Sequence, residues 1–64
     1  MQKISEDDVL YSIERIGESL ITHIPYARSK NVRKEYGKNV GDKKHHIRAI
    51  KEYAHVIKTL SSFL

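Results

Sequence analysis

Apolar residues recur along this chain with the period of a helix in two runs, and a long polar stretch separates them. In the first run Val9, Ile13, Ile16 and Leu20 stand at spacings of four, three and four, with Leu10, Gly17, Ile21 and Ile24 beside them. That spacing winds into one apolar stripe and predicts a helix over residues 4–24. Ser5 has the residue type of an N-cap, whose side-chain oxygen accepts from a free backbone N–H at Asp8 or its neighbour. Ile4 and Val9 occupy the two positions of a hydrophobic staple around that cap. Glu6, Asp7 and Asp8 set negative charge at the positive end of the helix dipole. Pro25 is expected to end the helix, because the residue before a proline avoids helical geometry.

In the second run Ile50, Tyr53, Ile57, Leu60 and Leu64 recur at three, four, three and four, and Ile47, Ala54 and Val56 widen the stripe. The pattern predicts a second long helix from Lys43 to about Phe63, with Asp42 as its N-cap. The 17 residues from Pro25 to Gly41 are too many for a comfortable structureless loop. Ser29 is expected to cap a short helix from Lys30 to Tyr36, closed by Gly37 in the left-handed conformation. Val32 and Tyr36 share one face of that helix, and Gly37–Gly41 reads as a turn.

Two long helices with one apolar stripe each bury those stripes together. The fold class is therefore all-α, an antiparallel helical hairpin with a short connector helix, in a single domain spanning residues 1–64. Residues at one level have numbers summing to about 70, which brings His23 near His46 and Ile13 near Ile57. The expected core is Val9, Ile13, Ile16, Gly17, Leu20, Ile50, Tyr53, Ala54, Ile57 and Leu60. Gly17 costs about 1 kcal/mol relative to Ala inside a helix. Its small size is read as room for the Tyr53 ring, or as close approach of the helices near Ala54.

Size sharpens this picture. A chain of 64 residues buries only about 60% of the surface it exposes when unfolded. Without cysteine it has neither disulfides nor thiolate metal sites to staple it. A lone hairpin also leaves the outer part of each stripe wet. The expected remedy is a homodimeric four-helix bundle.

Charge then shifts attention to the middle of the chain. Between residues 28 and 51 nine basic side chains are opposed only by Glu35 and Asp42, a net of +7, whereas residues 1–25 sum to −3. Lys43, Lys44 and His45 also place positive charge at the positive end of the second helix dipole, which costs about 0.3–1 kcal/mol each. A basic patch is often no more than a solvated surface, but this one interleaves tyrosines. Lysine and arginine neutralise phosphates, and tyrosine stacks on unpaired bases. The leading expectation is a small non-enzymatic, nucleic-acid-binding regulator. Lys43, Lys44 and Arg48 would contact phosphate, Arg28, Lys30, Arg33, Lys34 and Lys38 would support them, and Tyr36 would stack. The alternative is a protein–protein adaptor or inhibitor, of the kind phage and plasmid accessory genes encode, docking its basic patch on an acidic protein surface.

Other chemistries fare worse. His45 and His46 are adjacent and diverge by about 100° on a helix; His23 with His46 is the better pair but lacks a third ligand for zinc. Glu52 and His55 spell the Glu-x-x-His of di-iron bundles, yet with Ile50, Tyr53 and Ile57 inward both face water. Ser61 and Ser62 have no base in register. Neither an enzyme nor a cofactor or metal is expected. No apolar run reaches the roughly 18 residues of a membrane span, and the start lacks a signal-peptide core, so the protein is expected to be soluble and cytoplasmic with no membrane partner.

Overall fold

The computed structural model describes residues 4–64. It contains three α-helices, α1 (Glu6–Arg28), α2 (Val32–Tyr36) and α3 (Lys43–Ser61), with a single 3₁₀ turn, Lys38–Val40, between α2 and α3. No strand occurs among the described residues. Helices α1 and α3 run antiparallel and pack along their length, giving a rod 50 × 16 × 14 Å.

The first helix begins where its cap residue sits: the Ser5 side chain accepts from the Asp7 N–H at 3.2 Å. Its end differs from expectation. Pro25 lies inside the helix, which continues to Arg28. A proline there removes the bond to the carbonyl four residues back, that of Ile21. Pro25 is exposed and Ile21 is 63% exposed, so that carbonyl lies on the side where water can serve it. The extra turn also carries Tyr26 inward, where its ring meets those of His46 and Tyr36. Packing thus offsets a local preference.

The prolonged helix displaces the next cap. Ser29 is not the N-cap of the connector helix but the C-cap of α1, its N–H donating to the Tyr26 carbonyl at 3.3 Å. Asn31 takes the capping role, accepting from the Lys34 N–H at 3.1 Å, and α2 starts at Val32 rather than Lys30. Gly37 closes α2 with φ 100°, as its position suggested, and Gly41 follows the 3₁₀ turn at φ 83°. Side chains other than glycine rarely adopt such angles. Asp42 caps α3, accepting from the His45 N–H at 2.9 Å.

The apolar core is thin. Val9 and Val32 are its only buried hydrophobic residues among those described. Ile13, Ile16, Leu20, Ile50, Tyr53, Ile57 and Leu60 are half-buried along the seam, and Ala54 is exposed. The role expected for Gly17 is not seen within one chain. A Cβ placed there would meet nothing within 4 Å, and the Tyr53 ring stacks instead on His23, centroids 5.8 Å apart. A long side chain on a helix leans toward the N-terminus of that helix, which draws Tyr53 away from Gly17 toward the connector.

Candidate nucleic-acid interface

The connector end of the rod is built around His46, which is only 4% exposed. Its Nε2 lies 2.5 Å from the Val40 carbonyl oxygen, and its Nδ1 lies 2.8 Å from Nδ1 of His23. A carbonyl only accepts, so Nε2 of His46 carries the proton and donates to Val40. In the neutral ring Nδ1 of His46 is then an acceptor, and Nδ1–H of His23 donates to it. One proton fits between the two rings, and a second would set two N–H groups against each other.

Aromatic rings complete the cluster. Tyr26 stacks on His46 at a centroid separation of 4.6 Å and meets Tyr36 edge-to-face at 4.8 Å. His45 stands edge-on to both His46 and His23, at 5.0 and 6.1 Å. The His23 imidazole is held below its ordinary pKa, first by burial and then by repulsion from His46 and His45. Level arithmetic anticipates the meeting of His23 and His46. It does not anticipate Tyr26, because a helix ending at Pro25 would leave that residue beyond its last turn.

Around this cluster stands the basic surface. Arg28 ends α1, Lys30 lies in the link, Arg33, Lys34 and Tyr36 are on α2, and Lys38 is on the 3₁₀ turn. Lys43, Lys44 and Arg48 occupy the first turns of α3, and Lys51 follows. All nine basic residues from Arg28 to Lys51 are exposed. The topology therefore gathers eight of them, Arg28 to Arg48, at the connector end with Lys51 midway along α3, while Glu6, Asp7 and Asp8 lie at the opposite end. Among the described residues one ion pair forms, Arg15 with Glu18 at 3.9 Å, and none of the nine takes part in it. Tyr36 is 45% exposed. The Asp42 carboxylate at the N-cap supplies part of the negative charge that the α3 dipole lacks in its first turn.

A groove of about 340 Å³ opens between α1 and α2, lined by Ile24, Pro25, Arg28, Ser29, Glu35 and Tyr36. The hydroxyl of Ser29 is buried there without a hydrogen-bond partner among the described residues. No group of three or more His, Asp or Glu side chains among the described residues is arranged to hold a metal ion. Glu52 and His55 are both exposed on α3. None of the helices described is long and apolar enough to cross a membrane. Comparison with known proteins finds no matching family, no matching curated protein and no matching solved structure.

Proposed function

We propose that this protein is a non-enzymatic, cytoplasmic regulator that binds nucleic acid through its connector end. The observation that carries this reading is the set of eight exposed basic side chains from Arg28 to Arg48, gathered at one end and forming no ion pair with a carboxylate among the described residues. Unpaired like charge repels itself, and a polyanion relieves that repulsion while releasing its own counterions. Lys43, Lys44 and Arg48 contact phosphate, with Arg28, Lys30, Arg33, Lys34 and Lys38 in support and Tyr36 exposed enough to stack on an unpaired base. The working unit is a homodimeric four-helix bundle, supported by a core with two buried apolar residues among those described and by the exposure of Leu10, Ile21, Ile47, Val56, Phe63 and Leu64.

Gel shifts with duplex DNA, single-stranded RNA and hairpin RNA test the proposal, using the native chain and the Lys43→Glu, Lys44→Glu variant. Log affinity of the native chain should fall linearly with log salt. Removing one lysine that neutralises a phosphate should reduce the slope by about 0.9 on duplex DNA or about 0.7 on single strands. Native affinity that is absent, or that survives the double substitution unchanged, refutes the assignment of these lysines.

A further inference from the structure

The groove between α1 and α2 exists because α1 runs on through Pro25. The continued helix sets the exposed Pro25 ring and the half-buried Ile24 on one wall and Tyr36 on the other. Tyr36 is braced on Tyr26 at 4.8 Å and remains 45% exposed. A volume of about 340 Å³ is at the small end of ligand pockets and suits one flat group. The walls are apolar, while the polar groups beside them are of opposite kind: Arg28 only donates and Glu35 only accepts. Of the two carboxylates in the basic stretch, Asp42 is committed to the α3 cap, whereas Glu35 forms no ion pair or side-chain hydrogen bond among the described residues. Ser29 also lines the groove, only 5% exposed, and its hydroxyl has no partner among the described residues. A buried hydroxyl left unpaired is costly until an acceptor is supplied.

We infer that this groove takes an unpaired guanine base of a single-stranded nucleic acid, read on its Watson–Crick edge by Glu35. The inference rests on the nucleic-acid reading above and adds the base that it selects. A flat ring with apolar faces fits between Pro25 and Tyr36, and stacking on the tyrosine is open to any base. The edge decides. Guanine presents N1–H and its N2 amino group side by side, two parallel donors that one carboxylate accepts together. Its adjacent O6 is an acceptor for the Arg28 guanidinium, and for the Ser29 hydroxyl once that side chain rotates toward the groove. Adenine and cytosine put an acceptor nitrogen where guanine has N1–H, against the carboxylate. Uracil has a single N–H there, between two carbonyl oxygens. The eight basic side chains at this end repel the other partner that a carboxylate beside a tyrosine ring attracts, a cationic peptide side chain. They draw in the phosphates that carry the base.

Fluorescence anisotropy with short oligouridine strands, plain or carrying one central guanosine, inosine, adenosine or cytidine, tests the pocket in the native chain. The guanosine strand should bind about tenfold more tightly than the plain, adenosine and cytidine strands. Inosine lacks the N2 amino group and should lose most of that gain. In Glu35→Ala the preference should vanish while affinity for plain oligouridine holds or rises, since a negative charge leaves the basic end. The plain strand thereby also reports that the variant is folded, and the base series on the native chain does not depend on the variant. Equal affinity for every strand, inosine matching guanosine, a guanosine preference that survives Glu35→Ala, or binding to duplex alone overturns the pocket and leaves the nucleic-acid reading standing. A chain that binds none of these strands and neither duplex nor hairpin overturns both.

Discussion

At the connector end His46 is sealed between Tyr26, His23 and the Val40 carbonyl, and α2 and α3 each begin on a side-chain cap. At the other end Ser5 serves as a cap and Val9 is the one buried apolar residue among those described, while Phe63 and Leu64 stay more than half exposed. The first end is fixed by directional contacts between polar and aromatic groups, the second by a strip of apolar surface too narrow to close. A polar cluster of this kind specifies one geometry, because both ring nitrogens of the buried His46 are satisfied there and moving the ring would leave them unpaired. A short apolar strip specifies little beyond adhesion. The basic surface is mounted on the end with the defined geometry.

Substitutions can break or sharpen that contrast. The largest effect is expected from His46→Ala, which opens a cavity, strands the Val40 carbonyl and removes a ring from the cluster, for a cost of about 3 kcal/mol in urea denaturation. Val9→Ala at the opposite end should cost about 2 kcal/mol. If Val9→Ala proves the more damaging, apolar burial governs both ends and the contrast fails.

Acid should act on the connector end first. The folded state holds His23 below the ordinary imidazole value of 6.5, so the unfolded chain takes up that proton more readily. The stabilisation is therefore complete above about pH 6.5 and is lost as pH falls below it toward the folded value. The melting temperature should decline as pH falls below about 6.5, and His23→Gln should flatten that decline. A pH-independent melting temperature in the native chain would remove the imidazole pair from the account of stability.

Smaller effects test particular positions. Gly17→Ala has open space for its methyl group in the single chain, so it should stabilise by about 1 kcal/mol at concentrations where the chain is monomeric. Gly17→Leu should do the same there, and a cost of about 1–3 kcal/mol at higher concentration would show that the proposed dimer packs on Gly17. Replacing Lys43 and Lys44 with Glu should raise stability by about 0.3–1 kcal/mol per site, since each then complements the α3 dipole. A drop in stability in that variant would mean the lysines serve the fold.

Much of this organisation is legible from spacing. The stripes through Val9–Leu20 and Ile50–Leu64 set the two long helices. Ser5 and Asp42 mark their starts, and Gly37 the end of α2. Level arithmetic places His23 beside His46. The departures in local structure all lie around Pro25. A proline inside a helix costs about 3 kcal/mol, and the packing of Tyr26 that outweighs it comes from residues well separated in sequence, Tyr36 and His46. Once α1 gains its last turn, Ser29 changes from one kind of cap to another and Asn31 inherits its place. The basic residues of the candidate interface are evident from composition. Their gathering at one end, with no carboxylate partner among the described residues, requires the topology.

The elongated shape has a hydrodynamic consequence. With a radius of gyration of 14.8 Å, against about 11 Å for a compact chain of this length, even one copy diffuses as a larger body. Gel filtration calibrated on spherical standards will assign a single chain an apparent mass well above its 7.5 kDa. Two rods lying side by side double the width of the particle without lengthening it, so its frictional ratio should fall on association. Sedimentation velocity, which yields that ratio together with the mass, therefore separates a slender monomer from a stouter dimer where elution volume would confuse them.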